Sequence, residues 1–199
     1  MHPSQGPQRH HLPREVQRDL GDLLAKGHEL GSHTYSHVSC RSLAYNEYCA
    51  DAARGRRTLE DRTGCQAKNF SYPFGHVSLR SKKCLGKQFA SARGNRAGFN
   101  GPQLDLNLLR ANRIYGDMEQ SSPLQALISE NALRKSWLIF YTHDVRPQPS
   151  QYGCTPELFE FVVSEAVRSG SRILNIADTL EEVAGIHVAN QEQVVHELR

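Results

Sequence analysis

Helix-like and strand-like segments alternate along this chain about six times, and that alternation limits the fold more than any other feature. Consecutive parallel strands need a crossover, usually a helix, so the pattern points to a parallel sheet wrapped by helices, either barrel-like or doubly wound. Val16, Leu20, Leu23 and Leu24 recur at helical spacing and Gly27 stops that helix, which should run over about 15–26. The pattern predicts a short strand at 28–32, a polar outer helix over 43–63 ended by Gly64, a strand at 68–72, a helix at 77–85 and a strand at 88–92. A glycine-rich loop follows at 93–107, then a strand at 108–115 and a helix from Ser122-Pro123 to Leu133. Trp137–Tyr141 reads as a buried strand, and Thr155-Pro156 opens a helix with Leu158, Phe161, Val162 and Ala166 inward. A strand at 172–176 and a short helix capped by Asp178, with Glu181 completing a capping box, end the pattern. The first recognisable element is a helix, whereas a barrel normally opens with a strand.

A chain of 199 residues fits one domain. Residues 1–13, polar and rich in Pro, Gln and His, read as a disordered leader; 14–184 as the domain; 185–199 as a polar tail. The net charge is +3 with the basic residues scattered, which excludes a nucleic-acid footprint. No run approaches the ~18 apolar residues of a membrane span. The N-terminus lacks the apolar segment of a secretory signal, so the expected location is cytoplasmic. Five cysteines, an odd number with no C-x-x-C pair, are expected to be buried thiols rather than a disulfide framework or a zinc knot.

Three segments could carry chemistry. In Gly31-Ser32-His33-Thr34-Tyr35-Ser36-His37 two histidines stand four apart. On an extended strand they would be ~13 Å apart, too far to share an ion. Metal binding therefore requires the chain to coil after Ser32, and a structural role for the pair is the alternative. Phe70-Ser71-Tyr72-Pro73-Phe74-Gly75 ends a strand in a turn whose amides could face an oxyanion, or it is an ordinary strand exit. Ile139-Phe140-Tyr141-Thr142-His143-Asp144 places polar residues at the carboxyl end of a buried strand, where parallel sheets bind ligands. A histidine there can give or take a proton near neutral pH.

In this order, the three segments resemble the motifs of the polysaccharide deacetylase family, the NodB-homology domain. Residues 27–37 look like its metal-binding histidine pair, Tyr72-Pro73-Phe74-Gly75 like its third motif, and Tyr141-Thr142-His143 like its last. The resemblance implies an α/β fold, an incomplete (β/α) barrel of the deacetylase type with its N-terminal strand or strands missing. It implies a metal-dependent hydrolase that removes N-acetyl or O-acetyl groups from a polysaccharide, with acetylated polysaccharide or oligosaccharide as its partner. It further implies a divalent metal, usually zinc, on His33 and His37; His143 as general acid; and substrate contacts from Tyr72, Phe74 and Gly75, with the Phe74 amide facing the oxyanion. The family's opening Thr-Phe-Asp-Asp motif, which supplies a third ligand and a base, has no counterpart. Ser71 stands where the family usually has Arg, and no Asp-Trp pair occurs; Asp105 and Arg110 lie in about that region. The second expectation is therefore a catalytically impaired relic that binds carbohydrate or a partner with the same cleft.

Overall fold

The computed structural model describes residues 14–183. Its helices are α1 (Arg14–Ala25), α2 (Tyr45–Thr63), α3 (Leu79–Leu85), α4 (Ser121–Arg134) and α5 (Pro156–Arg168), with a further helix, α6, at 176–183. Its strands are β1 (Asn69–Ser71), β2 (Ser91–Arg93), β3 (Asn112–Arg113) and β4 (Phe140–Tyr141). β1 pairs with β2 and β3 with β4, both parallel. Single parallel bridges extend these pairs, Ser32 to Phe70 and Arg93 to Leu109. The strands thus follow one another as an open arc, with no closed barrel among the described residues.

Local sequence explains the helices. α2 turns only Tyr48 and Ala52, one helical turn apart, fully inward, which is why it reads as polar. Gly64 ends it at φ +71°, a conformation that favours glycine. In α5 the Thr155 hydroxyl accepts from the Leu158 amide, Pro156 occupies the first helical position, and Leu158 and Val162 are buried. Each buried side chain of that kind stabilises the fold by about 1.5–3 kcal/mol. α2 and α3 close one core over β1 and β2, built from Tyr48, Phe70, Tyr72, Leu85 and Phe89. α4 and α5 build a second from Ile114, Leu124, Ile128, Leu158 and Val162.

Three expectations change. The strand expected at 28–32 shrinks to a single bridge at Ser32. The segment 172–176 forms no strand, because Asn175 starts the last helix three residues earlier than expected: its side-chain oxygen accepts from the Asp178 amide at 2.8 Å. The Glu29 carboxylate then accepts from the Ala177 amide at 3.0 Å and from the Asn69 side chain, tying the last helix to the first strand-like segment. Cys49 of α2 and Cys84 of α3 form a disulfide, with Cα atoms 5.9 Å apart, while Cys40, Cys65 and Cys154 remain free thiols. The leader at 1–13 and the tail at 185–199 lie outside the described residues. No helix among those described is long and apolar enough to cross a membrane.

Candidate functional site

Just past Ser32 the backbone coils as a shared ion would require. Thr34 and His37 both adopt left-handed conformations, at φ +66° and +51°, which cost non-glycine residues roughly 1 kcal/mol or more each. The fold holds this turn from outside. The Asp51 carboxylate, on α2, accepts from the Tyr35 amide (3.0 Å), the Ser36 amide (3.1 Å) and the Ser36 hydroxyl (2.8 Å). The Arg54 guanidinium lies 3.6 Å from the centre of the Tyr35 ring. As a result the His33 and His37 rings stand 4.9 Å apart, and Phe74 packs edge-on against His37 at 4.8 Å. Asp51→Ala should destabilise the protein by about 2 kcal/mol, since hydrogen bonds to a charged group are worth roughly 1.5–3 kcal/mol each and this carboxylate is only partly buried. Urea unfolding checks the loss, and the His33 and His37 ring signals in NMR should shift with it; unchanged signals would separate Asp51 from the turn.

The chemistry of His33 suits a metal ligand. Its Nδ1 lies 2.6 Å from the Ser71 carbonyl oxygen. A carbonyl only accepts, so Nδ1 carries the proton and Nε2 of the neutral ring keeps its lone pair. One edge of the ring reaches solvent, yet the surrounding protein desolvates it and holds its pKa below the ordinary 6.5. The Ser71 carbonyl opposes that shift, and the nearby charges of His37, Arg93 and His143 add to it. A group depressed in this way lowers stability as pH falls through 6.5, where the unfolded chain takes up the proton first. The two imidazoles fit a divalent ion as donors, but the set is incomplete: among the described residues no group of three His, Cys, Asp or Glu side chains is placed to hold one. Asp51 is committed to the turn.

His143 sits on the same side of the arc, at the carboxyl end of β4. Its amide donates to the Tyr152 carbonyl at 3.1 Å. Tyr115, Tyr141 and Tyr152 surround its ring at 6.1, 6.5 and 5.4 Å between centroids. The Tyr115 hydroxyl lies 3.5 Å from Nδ1, at the outer limit of a hydrogen bond. Desolvation, with Tyr141 beside it, pushes the Tyr115 phenol up to about 12, so it stays protonated. Asp144 does not serve His143: its carboxylate is taken by Ser150 and Arg146.

The substrate contacts expected from the Tyr-Pro-Phe-Gly turn divide. Tyr72 is a core residue, 2% exposed, with its hydroxyl donating to the Asn107 carbonyl at 3.0 Å, so its side chain is not open to a ligand. Phe74 is the opposite, 56% exposed in a left-handed conformation against His37 and His76. Gly75, at φ +66°, leaves room for Asn95, whose side chain would lie 2.0 Å from an added Cβ. Asp105 and Arg110 are occupied elsewhere, by Lys82 and the Ala97 carbonyl. A hollow of about 210 Å³ lined by Arg96, Phe99, Leu104 and Arg110 includes none of the imidazoles.

Sequence reasoning missed Arg93, Tyr115 and Asp51. Arg93 closes β2 in register with Ser71, and its guanidinium stands 5.0 Å from the centre of the Tyr141 ring. Ser32, Ser71, Arg93, Arg113 and Tyr141 all stand at carboxyl ends of the parallel segments, with His33, Tyr115 and His143 one or two residues further on. That is the end at which parallel sheets present their ligand sites.

Residues 8–88 match the sequence model of the polysaccharide deacetylases, a stretch that includes the histidine pair and the Pro-Phe-Gly turn but not His143. No curated protein matches the chain. Among solved structures, a Mycobacterium smegmatis protein assigned to the polysaccharide deacetylases superposes with a TM-score of 0.59 at 14% identity, over 87% of this chain and 69% of that one. The Xyl-CE4 domain of a multidomain xylanase from the hindgut metagenome of Trinervitermes trinervoides gives 0.53 at 15% identity, over 86% and 73%. A wild-type CE4 family pseudoenzyme from Bacillus anthracis gives 0.51 at 14% identity, over 83% and 50%. The chain spans only 32% of the length of two other Bacillus structures that it matches at 21% and 22% identity.

Proposed function

We propose that this chain is a member of the polysaccharide deacetylase family and hydrolyses acetyl groups from an acetylated polysaccharide or oligosaccharide. The observation that supports the reading is that His33, with His37 beside it, and His143 follow the carboxyl ends of parallel segments of the same arc. His33 and His37 would hold a divalent ion such as zinc. Bound there, the ion would polarise the acetyl carbonyl and acidify a water. The chain's own residues have separate tasks. His33 offers Nε2 because Ser71 holds the proton on Nδ1. Phe74 packs its exposed ring beside His37. His143, among three tyrosines, would give a proton to the departing sugar nitrogen or oxygen.

A second reading, a binding module with little turnover, is favoured by the two-membered donor set and by the engagement of the Asp51 and Asp144 carboxylates elsewhere. A pseudoenzyme among its structural neighbours supports the same reading. Two measurements separate them: binding of N-acetylated and O-acetylated sugar oligomers by calorimetry, and acetate release with zinc supplied. Binding with release establishes the hydrolase. Binding without release establishes the module. Neither binding nor release overturns both.

A further inference from the structure

We propose that Arg93 forms a carboxylate-binding subsite in the cleft, between the imidazole pair and His143. The inference rests on the reading of the cleft as a carbohydrate site and narrows its ligand to one that carries a carboxylate.

Position comes first. The register of β1 and β2 sets Arg93 beside Ser71, the residue whose carbonyl holds His33. On its other side its guanidinium faces the Tyr141 ring at 5.0 Å. Tyr141 meets Tyr115 at 5.8 Å, and Tyr115 reaches His143. The guanidinium therefore lies among the groups gathered at this end of the strands.

The second observation is what Arg93 lacks. Among the described residues no carboxylate comes within 4.0 Å of it, although ion pairs form elsewhere, such as Lys82 with Asp105 and Arg146 with Asp144. Its recorded hydrogen bond is a long one, 3.4 Å to the carbonyl of the next residue, Gly94. The acidic side chains that could have served are engaged: Asp51 by the 35–36 turn, Asp144 by Arg146 and Ser150, Asp105 by Lys82. Arg93 is only part-exposed, and desolvation depresses its pKa while Tyr141 and Tyr115 oppose the shift. A cation taken out of water without a counter-charge costs free energy, and a fold gains that back when an anion arrives from outside.

The donor geometry selects the anion. A guanidinium presents a planar fork of five N–H groups, which matches the two oxygens of a carboxylate. Arg113 on the next pair of strands, lying 5.8 Å from the Tyr115 ring, adds a second positive charge at the same end. A cleft lined this way draws anions in. Two carboxylates fit the chemistry of an acetylated glycan: an acid group on a sugar unit, and the acetate that deacetylation would release.

The test is a binding titration of the full chain at neutral pH and fixed ionic strength, so it does not depend on turnover. The probes are acetate, a glucuronate-containing oligosaccharide, and a neutral oligosaccharide of equal length. The wild-type chain should bind at least one of the carboxylates, and Arg93→Gln should weaken that binding about 10-fold or more, as expected when a bidentate charged contact is lost. Binding of the neutral oligosaccharide should change less than about 2-fold, within the scatter of a site that keeps its other contacts. Arg93→Lys keeps the charge but not the fork, so it should recover only part of the affinity; it also serves where the glutamine variant fails to fold. Acetate bound as well as glucuronate identifies a product site, and glucuronate bound alone identifies an acidic substrate unit. Carboxylates bound no better than the neutral oligosaccharide, or equally by wild type and Arg93→Gln, overturn the proposal. Loss of acetate release with carboxylate binding intact would instead count against the hydrolase reading alone.

Discussion

Replacing His143 by glutamine should cut acetate release by roughly 10²–10⁴-fold, the range that a positioned proton donor contributes. Glutamine fills a similar space and can keep a hydrogen bond to the Tyr115 hydroxyl, but it cannot give a proton to a leaving group. The surroundings make the test clean. The His143 amide is fixed by Tyr152, and the ring is bounded by Tyr115, Tyr141 and Tyr152, so the substitution removes a proton without opening the cleft. The loss should fall on kcat, with KM changed less than about 3-fold, because the interaction is made only in the transition state. Tyr115→Phe gives the graded control. It removes the hydroxyl beside Nδ1 and should cost about 10-fold, the cost of loosening a positioning contact rather than deleting the donor. A His143→Gln enzyme that releases acetate at the wild-type rate would take this residue out of the chemistry.

Much of the arrangement was legible in the sequence, and the misses have physical causes. A shared ion on the histidine pair required the chain to coil after Ser32, and the turn at 33–37 is coiled. Asp51, which holds that turn, left no local mark: it acts across 15 and 16 residues and looks like any other polar position on an outer helix. Arg93 was lost to a boundary. The strand was expected to stop at 92, whereas β2 covers Ser91–Arg93, so a residue at a strand's carboxyl end was assigned to a loop. Tyr115 was read as the last residue of a strand at 108–115, whereas β3 ends at Arg113 and leaves Tyr115 two residues beyond it. Tyr72 was misread in the other direction. Side chains two apart on a strand share a face, and Phe70 and Tyr72 both turn into the core at 3% and 2% exposure, their rings 5.5 Å apart. The disulfide escaped notice because its two cysteines are 35 residues apart and meet only once α2 and α3 pack.

The middle of α2 supports the second large prediction. Glycine inside a helix ordinarily costs about 0.5–1 kcal/mol relative to alanine, so Gly55 reads as a defect in Tyr45–Thr63. The structure gives the reason for it. A Cβ at position 55 would lie 2.6 and 2.7 Å from the Thr34 carbonyl carbon and oxygen and 2.8 Å from the Tyr35 nitrogen. All three are backbone atoms of the turn that carries His33 and His37, and a backbone cannot swing aside as a side chain can. Asp51 stands one turn earlier on the same face of α2, so that face both binds the turn and lets it approach. Gly55→Ala should therefore destabilise the protein by about 3 kcal/mol, an overpacking cost large enough to outweigh the propensity gain. Gly21 in α1 is the matched control: nothing lies within 4 Å of its Cβ position, and Gly21→Ala should stabilise by about 0.5–1 kcal/mol. Opposite shifts in the urea midpoints would establish that α2 presses on the imidazole turn at Gly55. A Gly55→Ala protein as stable as the Gly21→Ala one would mean that the turn stands farther from the helix, and that Asp51 alone sets the distance between the two imidazoles.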